Sequence, residues 1–222
     1  MSVRGLEGKT AVLFGASSRY GDATARMLAV EGVKVALGGR SREKLEALEE
    51  GIRASGGKAL VVGTHLAKRH HPAHLVEAAL EAFGGLDILL FMACASAPAL
   101  GSLDLDAWER SVEVNLKGFL YTLAAALPIM RAGGGGHVVC LNVVNKETAD
   151  PLYEASRAAI RVVLQELSHE LLGEGIRASE VRLEDPGRVG PEQCAESVCR
   201  LLANTPDASG GGGFTIQKVP EA

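Results

Sequence analysis

A chain of 222 residues, 47% apolar and 23% charged, is long enough for one large α/β domain with a substantial core and too short for two. Its net charge of −4, with acidic and basic residues interspersed, presents no basic face for phosphate backbones or anionic lipid, so nucleic-acid and membrane partners are not expected. MSVRGLEGKTAVLFG enters an apolar strand without the layout of a secretory leader, no apolar run reaches the ~20 residues of a membrane span, and the expected compartment is the cytoplasm.

Along the chain, short apolar β-rich runs alternate with long amphipathic segments, the pattern of a parallel sheet covered by helices on both faces. Strands are predicted at 10–14, 34–38, 58–62, 88–92, 137–142, 178–181 and 214–217, and helices at about 21–31, 41–54, 71–83, 106–131, 151–172 and 191–203. Ser41 before REKLEAL and Asp104 or Asp106 before the segment holding Trp108 are helix-start signals. The GGGG runs at 133–136 and 210–213 read as loops. The expected architecture is a single-domain, doubly wound parallel sheet of about seven strands in three αβα layers. Cys94, Cys140, Cys194 and Cys199 show no CxxC spacing and read as reduced, mostly packed thiols.

In such a sheet ligands sit beyond the carboxyl ends of the strands, where strand order reverses. After the first strand comes FGASSRYGDATARMLA, in which Gly15 and Gly21 bracket a turn that opens a helix and can present backbone N–H groups to a pyrophosphate. Then follow, in order, GGRSREKL, LDILLF, VEVNLKGF, YEASRAAI and GIRAS with PG beyond it. Over nearly its whole length the chain resembles the short-chain dehydrogenase/reductase family, which implies a Rossmann-type fold, NAD(P) binding and a Tyr-centred oxidoreductase site.

The resemblance assigns cofactor contact to Gly15, Ser17, Ser18, Arg19, Gly21, Arg40, Ser41, Ala93, Pro186 and Gly187. Phe14 stands where the family's TGxxxGxG loop has Thr, and Arg19 where it has the middle Gly; Arg19 either obstructs the pyrophosphate or grips it. Arg40, with Ser41 and Arg42, favours a 2′-phosphate, so NADPH is expected over NADH, against the plainer reading of a capping Ser41 and solvated arginines. His65 replaces the Asp after the third strand, and Phe91, Met92, Ala93 and Cys94 replace NNAG. These losses leave open a fold that binds no nicotinamide nucleotide.

Tyr153 begins YEASR, the counterpart of YxxxK, and Arg157 lies one helical turn on. By resemblance Tyr153 is the general acid/base. A cation about 4 Å away would lower the phenol's pKa by roughly three units, although Arg157 cannot relay a proton as the family's Lys does. Asn115 matches the family's active-site Asn, which orders a helix kink. The family's Ser falls at Val143, so the Asn142 or Asn145 amide, and less directly Thr148, is the candidate donor to a substrate oxygen. The segment near 184–192 reads as a shortened substrate cover. His65, His70, His71 and His74 cluster without a carboxylate or Cys to complete a metal set, and no metal is expected. The leading reading is an NADPH-dependent carbonyl reductase acting on a small carbonyl or polycyclic substrate as a homodimer or homotetramer. A non-redox cyclase, dehydratase or isomerase on the same scaffold, and a catalytically silent partner subunit, remain as alternatives.

Overall fold

The computed structural model of the chain describes residues 5–98, 100–102, 104–144, 151–171, 173–183, 187–203 and 215–218. Its strands are β1 (Thr10–Phe14), β2 (Lys34–Gly39), β3 (Ala59–Gly63), β4 (Ile88–Phe91), β5 (Gly136–Val143), β6 (Ile176–Leu183) and β7 (Thr215–Lys218). The α-helices are α1 (Arg19–Val30), α2 (Arg42–Ala54), α3 (His71–Phe83), α4 (Leu105–Val112), α5 (Gly118–Ala132), α6 (Pro151–Glu170) and α7 (Pro191–Ala203). All seven strands pair in parallel in the order β3-β2-β1-β4-β5-β6-β7, so the sequence order reverses beside β1 and opens a crevice between the ends of β1 and β4.

Side-chain alternation along the central strands builds a core on each face. Every residue of β1 is buried. Ala11 and Leu13 face Leu28 of α1, Leu45 and Leu48 of α2 and Val198 of α7. Val12 and Phe14 point the other way, toward Leu75 of α3, Phe119 and Leu123 of α5 and Ile160 of α6. A strand buried on both sides needs apolar residues at successive positions, which is why TAVLF and ILLF show no polar alternation. Each buried Leu or Phe contributes about 1.5–3 kcal/mol relative to exposure.

The structure departs from the sequence reading at several places. The helix expected over 106–131 is α4 and α5 joined by a single π-turn, Glu113–Lys117, in which Asn115 is fully buried. A π-turn takes an extra residue without ending the helix, and hydropathy does not register it. Helix α1 starts two residues early because Ser18 caps it, its Oγ accepting from the Gly21 N–H at 3.1 Å. The run at 133–136 is not wholly a loop, since Gly136 is the first residue of β5. Gly135 (φ +147°) packs so tightly that a Cβ there would lie 2.6 Å from the Gly175 carbonyl oxygen. The run at 210–213 lies outside the described residues.

His137, near the foot of β5, is 3% exposed, and its Nε2 lies 2.8 Å from Ser179 Oγ. Burial first, then the positive charges of Arg177 and Lys9, hold its pKa at about 3 against 6.5 for a free imidazole. Between these values the unfolded chain binds a proton that the folded chain does not, so stability falls as pH drops below about 6.5 and stops falling on this account near 3. Denaturant unfolding at successive pH values in that window should show a loss of up to about 1.4 kcal/mol per pH unit from this group. His137→Gln should flatten the slope.

Candidate active site

The crevice is built from backbone that tolerates no side chain. At Gly15 (φ +92°) a Cβ would lie 2.5 Å from the Ala93 nitrogen, so the ends of β1 and β4 meet only because this residue is glycine. At Gly21 a Cβ would overlap the Gly15 carbonyl oxygen. Ser18 locks the turn by donating its hydroxyl to that same carbonyl at 2.8 Å. The start of α1 thereby faces a cavity of about 530 Å³. Gly15, Ser17 and Ser18 line it from the first turn, Arg40, Ser41 and Lys44 from the second, Thr64 and His65 from beyond β3, and Met92, Ala93 and Cys94 from beyond β4. Hydroxyls and a helix N-terminus at one end, and two cations at the other, suit phosphate groups at both ends of an elongated ligand.

The arginines at these turns divide their tasks. Arg19, replacing a glycine, neither fills the cavity nor lines it. Its guanidinium lies over the Tyr20 ring, 4.5 Å from the centroid, donates to the Tyr20 hydroxyl and reaches the Val189 carbonyl at 3.5 Å. Arg42 pairs with Glu46 at 2.6 Å and faces solvent. Arg40 lines the cavity, as does Lys44 one helical turn further, which the sequence reading missed although the i, i+4 spacing was there to be read. Ser41 holds the capping position of α2 but makes no side-chain capping bond.

A second cavity, about 210 Å³ and mainly apolar, shares Ser18, Met92 and Cys94 with the first and adds Tyr20, Ser96, Leu141, Val143, Tyr153, Glu154 and Arg157. Its anchor is an interrupted ladder. His137 N–H donates to the Asp87 carbonyl at 2.7 Å, and β4 and β5 continue in that register until Phe91 pairs with Cys140. Two residues at a time, the same register would carry Val143 N–H to the Ala93 carbonyl. That bond is absent. Val143 N–H instead donates to the Tyr153 phenol oxygen at 3.0 Å, and Arg157 Nη2 donates to the Ala93 carbonyl at 2.6 Å. Tyr153 and Arg157 thus each take one half of the missing rung.

Arg157 is 2% exposed. Its Nη1 lies 3.1 Å from Cys140 Sγ, and its Cζ sits 4.8 Å from the Tyr153 ring and 5.5 Å from the Phe91 ring. Burial pushes the Cys140 thiol up, so this neighbour is a neutral thiol rather than a thiolate. The expectation that Arg157 drags the phenol's pKa down is corrected. Burial is the larger influence and raises the Tyr153 pKa, against the opposing effects of Arg157 and the Val143 N–H. The phenol is therefore protonated at neutral pH.

Asn115 does not face the cavity. Its Oδ1 accepts from Ala95 N–H at 2.8 Å, and its Nδ2 donates to the Ala95 carbonyl at 2.8 Å and to Ser111 Oγ at 3.0 Å. It pins the loop that carries Cys94 and Ser96. The expectation for Asn142 is corrected as well. Alternation along β5 sends Leu141 and Val143 to the cavity and Asn142 to the opposite face, where its amide donates to Glu180 Oε1 at 2.5 Å. Arg161 holds the same carboxylate at 2.7 and 3.1 Å. Val143 brings no hydroxyl to the cavity, but Ser96 lines it from the loop after β4, which strand alignment could not reveal. Gly187 lies in a turn before α7 and lines neither cavity. Pro186, Asn145 and Thr148 lie outside the described residues. The rings of His70, His71 and His74 sit 5.2–6.2 Å apart, and His71 Nδ1 accepts from the His65 N–H. Among the described residues no helix is long and apolar enough to cross a membrane.

Glycine at the first turn, a Tyr one helical turn from a cation at the start of α6, and an Asn in a π-turn define an NAD(P)-type crevice of the short-chain dehydrogenase kind. The chain belongs to the short chain dehydrogenase family, whose profile matches residues 9–190, and that family consists of NAD(P)-dependent oxidoreductases acting on small molecules. It is 41% identical over 183 residues to the glycine betaine reductase ATRR of Emericella nidulans, an alignment covering 80% of this chain but only 14% of that protein. It is 36% identical over 184 residues to an uncharacterized oxidoreductase of Staphylococcus haemolyticus, covering 79% of this chain and 77% of the relative. Among solved structures it resembles a metagenomic short-chain oxidoreductase in complex with NADP (27% identity, TM-score 0.83, 96% and 98% of the two chains covered). It also resembles a 3-ketoacyl-ACP reductase from Sinorhizobium meliloti (26% identity, TM-score 0.83, 94% and 97% covered).

Removing the Asn115 amide leaves the half-buried Ala95 N–H without its partner and the Ala95 carbonyl with only the Ser111 hydroxyl, at 3.2 Å. Asn115→Ala should lower unfolding free energy by about 1–3 kcal/mol, measured by denaturant titration at neutral pH.

Proposed function

We propose that the chain is an NADPH-dependent carbonyl reductase with Tyr153 as general acid. The observation that carries this reading is a phenol that is protonated at neutral pH and lines a small apolar cavity, which shares Ser18, Met92 and Cys94 with a larger one holding two cations. A bound nicotinamide nucleotide supplies the hydride. The residues fit such a group: Ser17, Ser18 and the α1 N-terminus take the pyrophosphate, and Arg40, Ser41 and Lys44 take a 2′-phosphate. The phenol of Tyr153 hydrogen-bonds the substrate carbonyl oxygen and gives up its proton as carbon is reduced. The resulting phenolate is held by the Val143 N–H and the adjacent Arg157 cation. Ser96 adds a second hydroxyl donor to the substrate oxygen, and Asn115 keeps that loop in place. Leu120 on α5 and Val162 on α6 are exposed at 41% and 57%, which suits the pairing of two copies through these helices.

Three measurements test the reading. Titration with NADPH should show saturable binding, and Arg40→Ser should weaken it roughly 10- to 100-fold, the equivalent of one charge-assisted hydrogen bond of about 1.5–3 kcal/mol, while leaving NADH little changed. Tyr153→Phe should cut kcat for carbonyl reduction by about 10²–10⁴-fold with nucleotide affinity retained. Because burial raises the phenol's pKa, reduction should persist through neutral pH, whereas alcohol oxidation, which needs the phenolate, should climb with pH. Turnover that is indifferent to nicotinamide nucleotide would overturn the proposal.

A further inference from the structure

Tyr20 is the second residue of α1, and the backbone around it is fixed. Ser18 caps the helix just before it, and Gly21 just after it packs so closely on the Gly15 carbonyl that a Cβ would lie 2.2 Å from that oxygen. The ring held by this turn is 8% exposed, belongs to the same apolar core as Met92, Leu141 and Val189, and lines the small cavity that also holds Tyr153 and Ser96. Arg19, itself exposed, braces the ring. Its guanidinium covers the Tyr20 face at 4.5 Å from the centroid, and its Nη2 donates to the Tyr20 hydroxyl and, at 3.5 Å, to the Val189 carbonyl. The charge of Arg19 is also felt at Cys194 of α7, where it opposes the rise that burial gives to that thiol. One side chain thus spans from the first turn to the segment ahead of α7, with the Tyr20 ring under it. A ring gripped on its face and at its hydroxyl cannot swing aside for a larger ligand without breaking both contacts.

We propose that Tyr20 is the fixed wall that sets the upper size of the substrate, and that Arg19 is the positioning residue that keeps this wall in place. The substrate class is then a compact carbonyl compound with a short apolar body, and polycyclic carbonyls are shut out. The volume agrees, since about 210 Å³ falls below the range of roughly 300 Å³ upward that takes drug-sized ligands. This inference rests on the reductase reading for its chemistry, but the wall itself is a property of the cavity and can be tested by binding alone.

The test uses the full-length protein and two cyclic ketones that differ in bulk, cyclopentanone and 2-decalone. With NADPH present, the wild type should favour cyclopentanone in kcat/KM. Tyr20→Ala should move the ratio toward 2-decalone by about tenfold or more, Arg19→Ala should move it the same way by less, and Tyr20→Phe, which keeps the ring, should hold it within about threefold. Arg19→Ala should add nothing in the Tyr20→Ala background, because it acts through that ring. A second arm needs no turnover: the matching alcohols, cyclopentanol and 2-decalol, are titrated without nucleotide against the ring NMR signals of the three tyrosines. Cyclopentanol should shift Tyr20 and Tyr153 saturably and leave Tyr121, which lines neither cavity, unmoved. 2-Decalol should shift Tyr153 only when Tyr20 is Ala, or more weakly when Arg19 is Ala. Should Tyr20→Ala not fold, Arg19→Ala, a change at an exposed position, carries both arms. The proposal is overturned if the wild type binds 2-decalol as well as cyclopentanol, if neither alcohol shifts Tyr20, or if Arg19→Ala weakens NADPH binding while leaving discrimination between the two sizes unchanged. Absence of NADPH oxidation with either ketone, alongside size-selective alcohol binding, would count against the reductase reading and leave the wall standing.

Discussion

The site depends on one broken rung of the sheet. β4 and β5 run in register until the chain beyond Phe91 turns away, and the next backbone pair, Val143 N–H and the Ala93 carbonyl, loses its mutual bond. Buried backbone groups must be paired, so the vacancy has to be filled by side chains of the right kind. An acceptor is required on the β5 side and a donor on the β4 side. The first two turns of α6 meet both needs, Tyr153 accepting from Val143 and Arg157 donating to Ala93. The phenol is placed to within a hydrogen bond of the sheet itself, which makes it a rigid group at the edge of an otherwise apolar cavity.

This arrangement carries a cost that stability alone does not explain. Arg157 is almost fully buried, and among the described residues its neighbours are a carbonyl, a neutral thiol and two aromatic faces rather than a carboxylate. Four residues on, Arg161 shows the ordinary solution, gripping Glu180 through two nitrogens. Well-packed apolar residues often serve stability as well as a buried ion does, so a lone buried cation beside a phenol points to a use for its charge. That use is not to lower the resting pKa, because burial wins there. Under the proposed reductase reading it offsets negative charge when the phenol has given up its proton, a state in which Coulombic attraction to Arg157 grows and desolvation is already spent.

Much of the fold was legible in the sequence because its signals are local and redundant. TAVLF and ILLF are strands buried on both faces, and the gaps between strands are long enough only for crossover helices. The glycines of the first turn were legible for the same reason, since Gly15 and Gly21 are fixed by contacts within a few residues or with the adjacent strand end. The π-turn was not, because apolar periodicity survives one inserted residue. Asn142 was misplaced by treating proximity in sequence as proximity in space: one step along a strand reverses the face, and the neighbours of Val143 belong to different sides of the sheet. Ser96 was missed because it enters the cavity from a different loop, a relation that only the folded chain shows, whereas Lys44 was within reach of the i, i+4 spacing to Arg40.

The substitutions at the crevice follow a common logic. Arg19 occupies a glycine position without blocking the turn because Tyr20, beside it, offers a ring face and a hydroxyl that draw the guanidinium aside. Val143 occupies a serine position, yet its backbone N–H reaches the phenol, and Ser96 brings a hydroxyl to the same cavity from another loop. Arg157 stands in for a lysine and keeps the charge while trading mobility for a fixed bond to the end of β4. In each case the side chain has changed while the strand-end geometry of the crevice is kept. A crevice defined by strand-end geometry can accept such exchanges, because the backbone of β1, β4 and β5 decides where charge and hydrogen bonds are needed before any particular side chain supplies them.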